Sequence, residues 1–344
     1  MSDTPVQPEQ ELEVAPFHIW ELMSSFHKSA ALKTALELEV FTAIAEGKKT
    51  AQEIGQRCKA SERGIRILCD YLVVNRLLKK KDQEYSLPRG GELFLNKNSP
   101  VYMGEMHHFL ISDFMLSAMS VLTESVRKGG TAYRAGEGSL FPDNPVWVSF
   151  ARSMAALLGP VSEKLAGLVA SPGTPQRVLD VAAGHGVHGV AIAKRNPQAH
   201  ITAVEWEPVL VVARENAQKA GVSDRYSTIP GNAFEVDYGT GYDLVLATNF
   251  FHHFDPKGIV TLMRKMGAAL KPGGKLLTLD LMPNDDRVTP PAAGTFPIVM
   301  LSTTPGGDSY TVNELKSLLD EAGFTGHEVH ETIGPERIII SRKK

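Results

Sequence analysis

The stretch Phe251-His252-His253-Phe254-Asp255 places two adjacent histidines just past an apolar run, Tyr242 to Asn249. Histidine has an ordinary pKa of about 6.5, so much of it is neutral and able to take a proton near pH 7. Upstream lies a second reactive-looking stretch, Asp180-Val181-Ala182-Ala183-Gly184-His185-Gly186-Val187-His188-Gly189. An apolar strand-like run from Arg177 leads into it, and an Ala/Ile pattern that reads as a helix leads out. Glycines at such a turn let backbone approach a ligand closely, and the helix amino terminus offers free N–H groups. The spacing Gly184-x-Gly186-x-x-Gly189 is that of a nucleotide-binding corner. Two cofactors compete for such a corner: a nicotinamide dinucleotide and S-adenosylmethionine.

The elements that must position these residues alternate strand and helix from Arg177 onwards, as in an open parallel sheet. In such a sheet the ligand lies across the carboxyl ends of the strands. The second strand, Ala199 to Glu205, ends on an acid that can accept hydrogen bonds from ribose hydroxyls, with Trp206 next to it. The third, Tyr226 to Ile229, leads into Gly231-Asn232-Ala233-Phe234, which offers an amide and apolar contacts to a purine edge, or else a plain turn. The fourth ends at Asn249, placed for the amino-acid end of S-adenosylmethionine. Asp255 caps the next helix with Pro256 in its first turn, and Lys271-Pro272-Gly273-Gly274 turns into a fifth strand, Lys275 to Asp280. Residues 283–310 are rich in Pro, Gly and Thr, as in a lid or binding loop. Thr311-Val312-Asn313-Glu314 reads as a capping box, and two closing runs, around Val329 and Ile339, as an antiparallel pair. A dinucleotide needs a second nucleotide site in the later half of the sheet, and no second glycine-rich loop is there.

Residues 1–15 are polar and acidic and read as a disordered tail. A helix starts at Pro16, with Phe17, Trp20, Met23 and His27 at helical spacing, and the pattern continues to Gly47. Thr50 to Glu53 forms a capping box, a further helix runs from Ser61 to about Leu78, and Lys79 to Leu87 reads as a two-stranded wing. This winged-helix order invites a DNA-binding reading. Acids interleave with Arg63, Arg66, Arg76 and Lys79 to Lys81, so no clear basic patch results. The first helix is apolar over too wide an arc for a lone surface helix, which favours a dimerisation module. Between Val101 and Ala170, Met103 and His107 lie in one apolar stretch, and Trp147, Phe150, Met154, Leu157 and Leu158 form a helical stripe that is either core or pocket wall. Ser171 to Pro175 is a turn-rich linker.

The chain of 344 residues is long enough for two cores, and a net charge of -3 supplies no global pull towards nucleic acid or anionic membrane. Cys58 and Cys69 lack metal-ligand spacing and read as reduced structural thiols of a cytoplasmic protein. The amino terminus has no secretory pattern, and no apolar stretch is long enough to span a bilayer.

In their order, Asp180 to Gly186, Gly231 to Phe234, Phe251 to Asp255 and Lys271 to Gly274 resemble the S-adenosylmethionine-dependent small-molecule O-methyltransferases, related to the plant caffeate and hydroxyindole enzymes and to bacterial polyketide enzymes. The resemblance runs from about residue 16 to 344. It implies an α/β fold: a Rossmann-like seven-stranded methyltransferase sheet with an amino-terminal, mostly helical winged-helix dimerisation domain. The implied boundaries are 16–100 for dimerisation, 101–172 for a helical linker contributing to the substrate pocket, and 173–344 for cofactor binding. The implied cofactor is S-adenosyl-L-methionine, held by Asp180, Gly184, Gly186, Glu205, Trp206, Asn232, Ala233, Phe234 and Asn249. The substrate pocket is expected from Met103, His107, Phe150, Met154 and Phe251. The partners implied are a small-molecule acceptor and a second copy in a homodimer, with no metal, nucleic acid or membrane. His252 aligns with the family's catalytic histidine and is expected to face the methyl group as general base, with His253 as competitor. Asp280 and Asp308 are the candidates for the carboxylate that orients it. Three departures stand out: Ala182 and Ala183 replace glycine, Phe251-His252-His253-Phe254 replaces Leu-His-Asp-Trp, and the acid that supports the histidine in plant members has no clear match near Gly306 to Tyr310. N- or C-methylation on the same scaffold, a nicotinamide-dependent dehydrogenase and a winged-helix sensor of S-adenosylmethionine are the alternatives.

Overall fold

The computed structural model describes residues 15–134, 140, 145–155 and 157–344, so the tail expected over 1–15 lies outside the described residues but for Ala15. The chain divides into two compact units between Gly104 and Glu105. The continuous amino-terminal helix expected as far as Gly47 is three helices, Pro16–Ser24, Phe26–Glu37 and Val40–Ala45. The second break falls at Glu39, whose φ of 55° is left-handed. The capping box at Thr50 forms and opens Ala51–Cys58. The helix expected to reach Leu78 ends at Val74, because Arg76 takes a φ of 61° and Leu78 turns into the core. Strands Lys79–Lys81 and Glu84–Ser86 make the antiparallel wing. Phe41, Ile54, Ile65, Leu72 and Tyr85 are the centre of this unit. Cys58 and Cys69 are free and buried in it, and burial pushes the Cys69 thiol up to about 12. Several basic side chains are tied to acids: Arg57 bridges Glu39 and Glu46, and both Arg66 and Lys80 reach Asp70. Helix Pro16–Ser24 buries none of its residues, leaving Phe17, Trp20 and Met23 exposed.

The second unit is built on seven strands: β1 (Gln176–Val181), β2 (Ala199–Glu205), β3 (Tyr226–Pro230), β4 (Tyr242–Thr248), β5 (Leu270–Asp280), β6 (Phe324–Glu331) and β7 (Arg337–Lys343). Their order is β3-β2-β1-β4-β5-β7-β6, with the first five parallel and β7 antiparallel to both neighbours. Side chains alternate between the faces, as the period of two requires. Val178, Ile201, Leu244 and Leu277 pack on helices Gly159–Val169 and Val187–Arg195. Leu179, Val204, Val245 and Leu276 pack on Pro256–Ala269 and Val312–Glu321. Both faces are covered, which explains the apolar run Leu244 to Ala247 in β4.

Two local readings change. β5 begins at Leu270, pairing there with Tyr242, and resumes from Lys275 with Leu244 after an irregularity. The 283–310 segment is not an open loop, since it holds helices Pro291–Thr295 and Pro297–Thr303, each with proline in its first turn. Its end is pinned by Thr131, whose N–H donates to the Thr304 carbonyl at 2.8 Å and whose hydroxyl donates to Ser302 O at 2.7 Å. Among the described residues, no helix is long and apolar enough to cross a membrane.

The capping box at Thr311 is complete: its hydroxyl accepts from the Glu314 N–H at 3.2 Å and the Glu314 carboxylate accepts from the Thr311 N–H at 2.9 Å. Thr311→Ala removes a cap worth about 1 kcal/mol. Chemical denaturation should show that loss with an unchanged slope; no loss would mean that packing alone holds the helix.

Candidate active site

The carboxyl ends of β1, β2 and β4 open on one cavity of about 580 Å³ within the second unit. Its floor is the turn after β1. The Ala183 N–H donates to Val204 O at 3.1 Å, Gly184 and Gly186 have φ of 54° and 71°, and Gly186 caps helix Val187–Arg195. A Cβ on Gly186 would lie 2.4 Å from the Tyr226 hydroxyl, and one on Gly189 2.8 Å from Ile201 Cγ2 and 3.0 Å from Asp180 Oδ2. Gly189 is therefore a helix–sheet packing residue. Ala182, standing where the family has glycine, takes a φ of 56°, a region that costs a residue with a Cβ about 1–2 kcal/mol.

Glu205 turns back onto this floor. Its Oε2 accepts from the Gly184 N–H at 3.0 Å and its Oε1 from the Trp206 N–H at 2.8 Å. Burial raises its pKa to about 6 against these two bonds. Glu205 and Trp206 both line the cavity. Asp180 does not: it is fully buried beneath, no hydrogen bond of normal geometry reaches either oxygen, and the backbone N–H of Gly189 acts on it only through its field. Burial pushes its pKa up to about 7.

Asn232, Ala233 and Phe234 reach the cavity wall. The Asn232 amide is spent on its own turn, accepting from the Phe234 N–H and donating to Glu235, both at 3.0 Å. Phe234, Phe254 and Phe250 stand edge-to-face in a row, with centroids 5.1 and 5.0 Å apart. Asn249 joins the wall from a left-handed position, φ 50°, its N–H held by Leu279 O at 2.7 Å.

The expected acceptor residues are dispersed. Phe150 lines the cavity together with Trp147. Phe251 is completely buried in the core, and Phe250 takes the wall instead. Phe250 precedes a short 3-10 turn, Phe251–His253, and touches the same core from its edge while Phe251 enters it. Met154 packs on the core beside Leu158 and Val161. His107 is buried, its ring 3.9 Å from that of His108. Met103 belongs to the first unit.

Nδ1 of His252 and Oδ1 of Asp280 are 2.6 Å apart, both side chains buried. Asp280 Oδ1 also accepts from the Leu281 N–H at 2.8 Å. The pairing follows from topology: β4 and β5 are adjacent and parallel, so their carboxyl ends lie side by side. The ring of Phe296 stands edge-on at 4.9 Å and shields the imidazole. Asp308 is not part of this pair. Its carboxylate meets Arg287 at 3.2 Å, and its N–H donates to the His252 carbonyl at 3.0 Å. Of the two neighbours expected to compete, His253 and not His252 stands on the wall of this cavity, its ring 5.4 Å from that of Trp147. Burial holds its pKa well below the ordinary value, with His252 adding to the effect. His185 and His188 also line the cavity. The sequence motif assigns them no role, although the two histidines stand beside the glycines in it.

A family model of the O-methyltransferase dimerisation domain matches residues 20–97, and one of the methyltransferase domain matches 178–274. A crystal structure from Nostoc punctiforme, assigned as an O-methyltransferase, is 43% identical with a TM-score of 0.92, covering 96% of this chain and 100% of that one. The chain belongs to the O-methyltransferase family. It is a methyltransferase of the S-adenosylmethionine-dependent kind, with the family's dimerisation domain. The tetracenomycin polyketide synthesis 8-O-methyl transferase of Streptomyces glaucescens is 26% identical over 331 residues, 95% of this chain and 97% of that one. Human N-acetylserotonin methyltransferase, solved in complex with SAM, shares the fold at a TM-score of 0.84 and 20% identity, with 97% and 99% covered. The dinucleotide alternative is thereby set aside.

Two outcomes test the site's geometry. Phe251→Ala empties a core position and should cost about 3–5 kcal/mol in urea unfolding, whereas Phe250→Ala, on the wall, costs a fraction of that; equal losses would contradict the division. Asp180 has a folded pKa above its unfolded one, so its contribution is fullest below pH ~4 and is lost as pH rises through 7. Relative to Asp180→Asn, the wild-type enzyme should lose up to roughly 4 kcal/mol between pH 4 and 8; a pH-independent difference would show the carboxyl is not strained by burial.

Proposed function

We propose that this methyltransferase moves the methyl group of S-adenosylmethionine to a hydroxyl of a small aromatic or polyketide-like acceptor, with His252 as general base. The observation that carries the reading is the buried His252–Asp280 pair at 2.6 Å. A carboxylate on Nδ1 fixes the tautomer and leaves Nε2 to receive the acceptor's proton. A phenol has an ordinary pKa near 10, so a base at that atom makes the better nucleophile at neutral pH. The cofactor supplies an already activated methyl group, and the protein's share is positioning and the proton.

The residues of the cavity fit that cofactor. Gly184 and Gly186 hold backbone close to its amino-acid end, the two Glu205 oxygens keep lone pairs for the ribose, and Ala233 and Phe234 offer apolar surface to the purine. Phe150, Trp147 and His253 supply the acceptor side, so residues 101–172 contribute to the pocket while 173–344 hold the cofactor. The exposed Phe17, Trp20 and Met23 of the first helix, in the dimerisation domain, support residues 16–100 as the homodimer contact. The buried free thiols suit a reducing cytoplasm.

The test is a panel of phenolic and carboxylic acceptors with labelled S-adenosylmethionine. His252→Ala should lose about 10²–10⁴-fold in kcat while binding S-adenosylhomocysteine normally, and Asp280→Asn should lose activity through the wrong tautomer. Substantial turnover by His252→Ala would favour N- or C-methylation, and loss confined to His253→Ala would move the base to the neighbour on the wall.

A further inference from the structure

The glycine turn carries two histidines that the proposed reaction does not use, and their protonation can be read from their neighbours. Ser162 donates its one hydroxyl proton to Leu158 O at 2.7 Å, and the same oxygen lies 2.9 Å from His188 Nδ1. The proton of that second bond must come from Nδ1. His188 is thus the Nδ1–H tautomer, and its Nε2 is a lone-pair acceptor. That Nε2 is buried and without a partner, on a side chain 1% exposed in the cavity wall. His185 is the opposite tautomer: its Nδ1 accepts from the Val187 N–H at 3.2 Å, which leaves the proton on Nε2. The two rings meet edge-to-face at 5.3 Å, and the Asn216 amide holds the His185 carbonyl at 2.9 Å. Burial depresses both pKa values, to about 3 and about 4, so both rings are neutral.

We propose that His185 and His188 form a two-handed clamp for an α-amino-acid zwitterion, the Nε2–H of His185 donating to its carboxylate and Nε2 of His188 accepting from its ammonium. This rests on the reading that the cavity takes S-adenosylmethionine, and it names the residues that grip that cofactor's methionine end. A lone acceptor inside a protein is costly until a donor meets it, which is what makes His188 selective for an ammonium. The amino terminus of helix Val187–Arg195, opened by Gly186, adds a field that favours the carboxylate.

Asparagine reproduces the Nδ1 end of histidine and glutamine the Nε2 end, so the two substitutions separate fold from clamp. His188→Asn keeps the bond to Ser162 and loses the acceptor; His185→Asn keeps the bond from Val187 and loses the donor. Calorimetric titration with S-adenosylhomocysteine should show each Asn variant about tenfold or more weaker, since hydrogen bonds to charged groups are at stake. Titration with 5′-methylthioadenosine, which lacks the amino-acid end, should be unchanged, and His188→Gln should recover part of the loss. An analogue lacking the α-amino group should bind wild type and His188→Asn alike, and its deficit in the wild type keeps the idea testable should that variant fail to fold. Equal affinities for S-adenosylhomocysteine across the variants, or parallel losses for both ligands, would overturn the clamp. A wild-type protein that binds neither ligand would instead overturn the cofactor reading itself.

Discussion

The close approach of helix Val187–Arg195 to β1 and β2 is the constraint on which the site depends. Gly186 lies against the Tyr226 hydroxyl and Ala213, and Gly189 lies against Ile201 and Asp180; a Cβ at either position would stand under 3 Å from a neighbour. The helix begins at Val187, directly after the turn that leaves the carboxyl end of β1. The backbone of Gly184 then meets Glu205 across the gap, and the floor of the cavity is formed. The cost is borne underneath, where Asp180 and Tyr226 have polar atoms sealed from water without partners.

The second half of the site follows from the strand order. β4 and β5 run parallel on the other side of β1, so whatever leaves their ends becomes adjacent. His252 and Asp280 are 28 residues apart and meet because of this. Phe251 behind them is driven into the core between the sheet and helix Pro256–Ala269, and that burial fixes the turn that carries His252. Both side chains of the pair are buried, and the Asp280 oxygen that meets His252 is also held by the Leu281 N–H.

The elements were legible where local chemistry decides. The capping boxes at Thr50 and Thr311, the wing over Lys79–Ser86, the second strand and the Asp255 cap are all written in a few adjacent residues. Less legible were the breaks at Glu39 and Arg76, where non-glycine residues take left-handed φ because the packing demands a turn. The 283–310 segment reads as a loop from its Pro, Gly and Thr content. Prolines in first helical turns and the bonds from Thr131, more than 170 residues away, make it two helices instead.

By itself the sequence determined the class of the protein: the alternation of strands and helices, the glycine corner, the order of motifs that marks an O-methyltransferase, and the histidines available for proton transfer. The alternation and the corner rest on periodicity and on residue types whose conformational limits are local, and the class rests on the resemblance of the motifs in their order. Only the tertiary structure decided which members of adjacent pairs do what. It turned Phe250 to the wall and Phe251 to the core, gave Asp280 rather than Asp308 to His252, spent the Asn232 amide on its own turn, and set His185 and His188 in opposite tautomers. Each of those outcomes depends on a partner distant in the chain, and side-chain direction at a strand end is set by what packs behind it.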